Sequence, residues 1–456
     1  MYTIDDTIAA IATPVGEGGI GIVRISGPES LDILRLLFRD GNRRRLAHQP
    51  DSHRLHYGHL IDPETRGTVD EVLASYMQAP HTYTRQDVVE INCHGGIMPL
   101  RRTLNLVLRH GARLARPGEF TLRAFVNGRL DLAQAEAVLD VIRAKTDAGL
   151  RVAVQQLEGR LSEKVRHTRE KLVDILAYLE ASIDFAEDVP EQDITLDLAE
   201  AQEELAQLCA EADQGMIYRQ GIRTAIVGRP NVGKSSLLNA LLRENRAIVT
   251  PVPGTTRDTL EETVNLQGIP LCLVDTAGIA PTQNVVEQLG IERSRKALEA
   301  ADLVLMVIDR SAPLTPLDWE IAEQIADKTA ILVINKIDLS ASAEINGLLP
   351  DAPRIHVSAL TGQGLEALEA QIERTVLAGE TSTSDTPLVS NPRHQALLQR
   401  ALDDVQDAQR AYENGLPDDL LAIDISAAVD ELGELTGESA SADLLETIFS
   451  RFCIGK

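Results

Sequence analysis

The sequence predicts a multidomain chain of mixed α+β and α/β class. An N-terminal α+β domain comes first, then a helical bundle split in two, with an inserted P-loop domain of Ras-like α/β form between its halves. Three observations carry this. The stretch Gly228-Arg-Pro-Asn-Val-Gly-Lys-Ser235 has the pattern G-x-x-x-x-G-K-S and lies between a short apolar run and a segment of helical spacing. Residues 216–380 alternate short apolar runs with helical ones, the signature of a doubly wound parallel sheet. The flanking stretches 121–215 and 386–456 carry apolar residues at steps of three, four and seven, which is helical.

Residues 1–120 form the first unit. Gly19-Ile-Gly-Ile-Val-Arg-Ile25, Val72–Met77 and Val88–Asn92 read as strands. Ser30 caps a helix over Leu31–Phe38, and Gly95-Gly96 leads into an amphipathic helix over about Pro99–His110. Arg24 and Glu90 fall on strand segments, where a buried charge is costly unless paired. They either pair with each other or hold a polar ligand. His94, beside two glycines, could rim a pocket, although a lone loop histidine is more often structural.

Residues 121–215 form the first helical part. Leu130, Leu157, Leu161, Val165, Leu172, Ile175, Leu179 and Ile183 mark apolar faces. The spacing drifts, which favours a bundle over a long coiled coil. An acidic break at Phe185–Asp193 precedes a helix over about Leu196–Ala212. In 216–380 the strands are Arg223–Val227, Leu271–Asp275, Leu303–Asp309, Ile331–Asn335 and Arg354–Val357. An antiparallel edge strand, Glu261–Leu266, turns at Gln267-Gly268. Glu380-Thr-Ser-Thr-Ser-Asp385 is a polar linker. The second helical part, 381–456, holds helices over about Pro392–Asn414, Asp418–Leu435 and Ala442–Arg451. Neither helical part offers enough helices to bury its own faces, so the two are expected to pack together.

The chain of 456 residues has a formal net charge of -25, which argues against indiscriminate binding of a polyanion. The charge is uneven. Residues 1–130 hold 16 Arg, no Lys and 14 Asp plus Glu, a net +2. If nucleic acid binds, the N-terminal region is the favoured face. No run of about 18 apolar residues is present to span a membrane. The four scattered cysteines, Cys93, Cys209, Cys272 and Cys453, form no metal spacing. With no secretory leader, a cytoplasmic setting is expected.

The phosphate loop needs glycines for close backbone approach, a lysine for the outer phosphates and a hydroxyl for Mg²⁺. Lys234 and Ser235 supply the last two. Three further signals follow in order. Asp275-Thr-Ala-Gly278 ends a strand, where the Asp holds the Mg²⁺ water shell and the Gly N–H reaches a γ-phosphate. Asn335-Lys-Ile-Asp338 also ends a strand. The Asp338 carboxylate can accept from N1–H and the exocyclic amine of guanine, a donor pair that adenine lacks, so GTP is favoured over ATP. Ser358-Ala-Leu360 fits the loop behind the base. Gly254-Thr-Thr-Arg-Asp258 reads as a switch, with Thr256 as Mg²⁺ ligand alongside Ser235. The nucleotide-contacting set is thus Asn231, Val232, Gly233, Lys234, Ser235 and Ser236; Thr250, Thr255 and Thr256; Asp275 and Gly278; and Asn335, Lys336, Asp338, Ser358 and Ala359.

Ile279 follows the Asp275–Gly278 motif, where Ras-like GTPases place a water-orienting glutamine. Isoleucine has no polar atom for that work. Glu287 is a candidate by position, although its pattern alone reads as an exposed helical residue.

Taken together, the residues resemble the MnmE (TrmE) tRNA-modification GTPase family from end to end. The resemblance is carried by Gly18–Gly27, Tyr83–Ile91, His94-Gly-Gly96, Arg116–Phe125, Asn127–Glu136, the nucleotide motifs and the ending Phe452-Cys-Ile-Gly-Lys456. It implies a homodimer whose N-terminal domain binds 5-formyl- or 5,10-methylene-tetrahydrofolate, and joint work with an FAD-containing MnmG-type partner. It implies addition of an aminomethyl or carboxymethylaminomethyl group to carbon-5 of the wobble uridine of tRNA. It implies K⁺ activation, with Asn231, Thr250, Val252 and Thr255 as K⁺ ligands, and Glu287 as the residue that orients water. Folate contacts in the family match Arg24, Glu90, Arg129 and Lys456; the family often has Lys at the position of Arg129. Cys453 matches a family cysteine near the active region. Two other readings compete. An Era- or Der-type ribosome-assembly GTPase would need a KH domain or a second nucleotide domain, neither of which the sequence suggests. A non-enzymatic dimerising switch would not need Glu287.

Overall fold

The computed structural model describes residues 5–46, 48–185, 188–190, 192–245, 262–273, 298–342, 345, 347–377 and 387–456. Its architecture is mixed and multidomain: two separate sheets and a set of packed helices.

The first sheet has seven strands: β1 (Ile8–Ile11), β2 (Ile20–Ser26), β3 (Phe38–Asp40), β4 (Arg54–Ile61), β5 (Thr68–Met77), β6 (Val88–His94) and β7 (Arg113–Leu114). Their order is β3-β4-β5-β6-β2-β1-β7, antiparallel except for the β1–β7 pair. Helices α1 (Ser30–Leu37) and α2 (Ile97–Arg109) pack on it. The strands bury alternate residues. Val23 and Ile25 of β2, with Val89, Ile91 and Cys93 of β6, join Leu34, Leu100 and Leu106 in one core. Arg24 and Glu90 lie directly opposite each other in the register, on the other face. The sequence reading missed β1, β3, β4 and β7. It also started α2 two residues late.

Helices α3 (Glu119–Val126), α4 (Leu132–Arg143), α5 (Asp147–Leu157), α6 (Arg160–Asp184) and α7 (Thr195–Gln220) follow. Asp131 caps α4 with a reciprocal capping box to Gln134, and Thr146 caps α5. After the nucleotide module come three more helices: Pro392–Glu413, Asp418–Thr436 and Ala442–Phe449. Leu161, Leu172 and Leu205 from before the module share one core with Leu398, Val405, Ile425 and Leu432 from after it. Gly215, inside α7, marks the closest approach. A Cβ there would stand 1.8 Å from the Val389 carbonyl oxygen.

The second sheet has six strands: β8 (Ile222–Val227), β9 (Glu262–Leu266), β10 (Ile269–Leu273), β11 (Leu303–Asp309), β12 (Ala330–Asn335) and β13 (Arg354–His356). Their order is β13-β12-β11-β8-β10-β9, with only the β9–β10 pair antiparallel. The expected edge strand and its turn are present, the turn using left-handed Gln267 and Gly268. Every residue of β11 and β12 is buried, as strands covered on both faces require. Helices α8 (Lys234–Asn245), Pro316–Gln324 and Leu365–Val376 belong to this unit. No helix among the described residues is long and apolar enough to cross a membrane.

Candidate functional site

The phosphate loop leaves the end of β8 and enters α8. Its backbone cannot be made by ordinary residues. Gly228 has φ 147°, and a Cβ there would lie 2.3 Å from the Val307 carbonyl oxygen. Gly233 has φ 101°, and its Cβ would lie 2.2 Å from Asn335 Nδ2. Both glycines therefore serve shape, and the space they leave is a cradle that a side chain would fill. Asn231 between them is left-handed at φ 64°. Val232 is buried and anchors the loop in the core; Ser235 is half-buried and Ser236 exposed.

Lys234 Nζ donates to the carbonyl oxygens of Gly228 at 2.7 Å and Arg229 at 2.8 Å. Burial lowers its pKa. The ammonium is thus held across the mouth of the loop, where a phosphate oxygen would replace those carbonyls.

Two loops at strand ends close on this cradle. Asn335 ends β12 and is 2% exposed. Its Nδ2 donates to the Val232 carbonyl at 2.8 Å, and its Oδ1 accepts from the Ala359 N–H at 3.0 Å. One amide therefore braces the phosphate loop against the loop behind the base. Lys336, left-handed at φ 63°, donates to the Asn231 carbonyl at 2.9 Å and to Asp309 at 2.6 Å. Ser358 Oγ donates to Asp338 Oδ1 at 2.6 Å. Asp338 is exposed, so its second oxygen is free to accept from a ligand.

Asn231 to Ser236, Asn335, Lys336, Asp338, Ser358 and Ala359 are thus brought together by β8, β12 and the loop after β13. Asp309 was missed in the sequence. It ends the wholly apolar run of β11, and its carboxylate holds both Lys336 and Ser311. An acid closing an all-apolar strand was the available signal. Thr250, Val252, Thr255, Thr256, Asp275, Gly278 and Glu287 lie outside the described residues. No group of three or more metal-ligating His, Cys, Asp or Glu occurs among the described residues. The donor chemistry that remains, the Ser235 hydroxyl at the start of α8, fits one Mg²⁺ ligand.

The loop geometry makes a direct prediction. Alanine at Gly233 must adopt a strained φ and push Asn335 away. GTP binding, read by titration with a fluorescent nucleotide, should weaken about 10- to 100-fold. The helical content should be unchanged.

A second cluster lies in the N-terminal domain. Arg24 Nε donates to Glu90 Oε1 at 2.8 Å, so these two do pair. Arg24 Nη1 also donates to the Gly455 carbonyl at 3.2 Å, 431 residues away in sequence. The C-terminal tail is therefore folded into this domain. Phe452 is buried beside Phe449, and Gly455 at φ 100° passes so close to β1 that a Cβ would lie 2.3 Å from the Ile11 carbonyl. Burial lowers the pKa of Lys456, and the charge of Arg24 lowers it further. Cys453 is exposed, and its carbonyl accepts from the Gly118 N–H. Arg129 stacks 4.8 Å from the centre of the Tyr83 ring. Burial raises the Tyr83 pKa, while Thr121, Arg129 and Arg24 oppose the rise. Arg24, Glu90, Lys456 and Cys453 thus meet at one place, with Arg129 and Tyr83 on its flank. His94 does not join it; its Nδ1 pairs with Asp70 at 2.7 Å on an exposed edge.

Comparison with known proteins agrees in both halves. A family model described as the GTP-binding protein TrmE N-terminus matches residues 7–129, and one described as the MnmE helical domain matches residues 132–453. A protein of Alkaliphilus oremlandii (strain OhILAs), named tRNA modification GTPase MnmE, is 51% identical over 464 residues, covering 100% of both chains. Proteins of the same name from Staphylococcus epidermidis and Alkaliphilus metalliredigens are 49% and 50% identical, covering at least 99% of each chain. With the glycine cradle, the Asp338 carboxylate held by Ser358 and the docked tail on one chain, this end-to-end similarity leads to one conclusion: the chain belongs to the MnmE family of tRNA modification GTPases.

Proposed function

We propose that this chain is a K⁺-activated GTPase that takes part in wobble-uridine modification of tRNA. The observation that carries the reading is the convergence of the glycine cradle with Asn335, Asp338 and Ser358 in a chain similar to MnmE proteins over its full length. Lys234 meets the outer phosphates, and Asp338 accepts from the guanine edge. Ser235 and Thr256 would hold Mg²⁺, which would neutralise phosphate charge. Asn231, Thr250, Val252 and Thr255 would hold K⁺, which would stabilise developing charge. Glu287 orients the attacking water in place of the glutamine that Ile279 displaces.

The cluster of Arg24, Glu90, Lys456 and Arg129 receives a tetrahydrofolate one-carbon carrier. A guanidinium and an ammonium suit its carboxylates, and Glu90 suits its pterin N–H groups. Cys453 stands at the edge of that site. The proposed domains are 1–120 for folate binding and dimerisation, 216–380 for GTP, and 121–215 with 381–456 for the helical bundle. The chain acts as a homodimer with an FAD-containing MnmG-type partner in the cytoplasm. An Era- or Der-type reading lacks support, because the chain after the nucleotide module consists of helices that complete the bundle.

The test is reconstitution with the FAD partner, an unmodified tRNA, GTP, Mg²⁺, methylene-tetrahydrofolate and glycine or ammonium as the amine, followed by nucleoside analysis. Modified wobble uridine should form in K⁺ and fall at least 10-fold in Na⁺, together with GTP hydrolysis. Equal rates in both salts remove the K⁺ assignment. Absence of any modified nucleoside while GTP is hydrolysed overturns the tRNA reading.

A further inference from the structure

One surface of the N-terminal domain is used by neither site. Helix α2 contains no acidic residue. It buries Leu100, Thr103, Leu106 and Val107 against the sheet, so Arg101, Arg102, Asn105 and Arg109 stand on its exposed side. The turn between β4 and β5 rises beside this helix. A groove of about 700 Å³ runs between them, with Arg102 and Asn105 on one wall and Thr65 and Thr68 on the other.

The charges in this region are arranged unevenly. Arg109 is engaged, at 3.1 Å from Asp62 and 3.3 Å from Glu64. Those are the two acids of the turn, and Arg109 partly neutralises both. Arg101 and Arg102, and the exposed side chain of Arg66 at the tip of the turn, have no ion pair or side-chain hydrogen bond among the described residues. The chain has a net charge of -25 and surplus acids, and some of its surface cations are paired, as Arg400 is with Glu431 and Lys171 with Glu200 and Glu204. Unpaired guanidiniums on the exposed side of α2 and at the tip of the adjoining turn give such a protein a local positive field, bordered by regions that repel polyanions. Hydroxyls and an amide along a groove add neutral donors of the kind that contact phosphate and ribose oxygens.

We infer that the outer face of α2 and the adjoining β4–β5 turn grip the phosphate backbone of the RNA substrate, through Arg66, Arg101 and Arg102. The inference rests on the tRNA reading above and adds where the RNA lies: on the helix-covered side of the N-terminal sheet, opposite the face that bears Arg24 and Glu90. Recognition at this surface is electrostatic and independent of base sequence.

Binding of an unmodified tRNA transcript to the full chain, measured by fluorescence anisotropy across a salt series, tests it. Each phosphate contact contributes roughly 0.7–0.9 to the slope of log affinity against log salt. The triple variant R66A/R101A/R102A should bind about 10- to 100-fold more weakly at low salt, with a slope reduced by about 2–3. The triple lysine variant should retain most of the affinity, because charge rather than fork geometry carries the contact. GTP hydrolysis without tRNA should be unchanged in both, which shows that the variants are folded. Parental affinity and slope in the alanine variant overturn the surface assignment and leave the tRNA reading standing; a lysine variant as weak as the alanine one overturns recognition by charge alone. If the parent chain binds no tRNA at low salt, the tRNA reading itself fails and this surface with it.

Discussion

Replacing Asp338 by asparagine should abolish GTP turnover at nucleotide concentrations that saturate the parent enzyme, and should confer turnover of xanthosine triphosphate. The carboxylate is positioned by Ser358, which occupies Oδ1 and leaves Oδ2 exposed. Guanine presents two donors, N1–H and the exocyclic amine. Asparagine offers one acceptor and one NH₂ donor, so one guanine donor faces another donor. A hydrogen bond to a charged group is worth about 1.5–3 kcal/mol, and leaving a donor unmatched adds to the loss. The KM for GTP should therefore rise about 100- to 1,000-fold. Xanthine has a carbonyl where guanine has its amine, which matches the new NH₂. Steady-state kinetics with both nucleotides decide the matter. An Asp338→Asn enzyme with parental KM for GTP would remove Asp338 from base recognition.

Glu136→Ala should cost the helical bundle about 3–5 kcal/mol, the usual penalty for leaving buried partners of a charge uncompensated. Glu136 sits on α4 and accepts from Arg393 at 2.5 Å, His394 Nε2 at 2.8 Å and Asn391 Nδ2 at 3.0 Å. His394 is 0% exposed. Burial by itself would raise the Glu136 pKa, but His394 and Arg393 outweigh it and hold the carboxyl well below its ordinary value of 4.5. The folded pKa lies below the unfolded one. The stabilisation is therefore complete above about pH 4.5 and drains away as the pH falls through the acid range. The expected results are a midpoint of thermal unfolding about 6–20 °C lower at neutral pH, and a flatter loss of stability on acidification than in the parent. Far-UV circular dichroism across a pH series measures both. A variant with the parental midpoint would show that Arg393 and His394 find other partners.

The same network shows why the bundle was only partly legible in the sequence. Helical periodicity identified the segments, because spacing of three and four reports local geometry. It could not report that Glu136 meets Arg393, 257 residues later. Helix α7 was expected to end near Ala212 but runs to Gln220. Gly215 reads as a breaker when only propensity is weighed, yet the absent Cβ is what lets the Val389 backbone pack against the helix. Strand β4 was missed for a related reason. Its sequence, RLHYGHLI, leaves Leu55 and Tyr57 exposed and places a glycine opposite Val72, so its apolar pattern does not point to the core.

The nucleotide module was the most legible part. Its central strands β11 and β12 are apolar up to the closing Asp309 and Asn335 and buried throughout, and its loop glycines occupy backbone conformations that few other residues adopt. The apolar runs and the G-x-x-x-x-G-K-S spacing are local signals, so the sequence by itself determined them. Tertiary structure decided the rest. It set Arg24 and Glu90 opposite each other in the register, where they pair. It carried the last residues of the chain back onto the first sheet, where Gly455 could approach β1 and Arg24 could take its carbonyl. It turned Asn335 into a brace between two loops. Each of these is a pairing of polar groups far apart in sequence, selected because close packing removes water and leaves each group only the partner the fold provides.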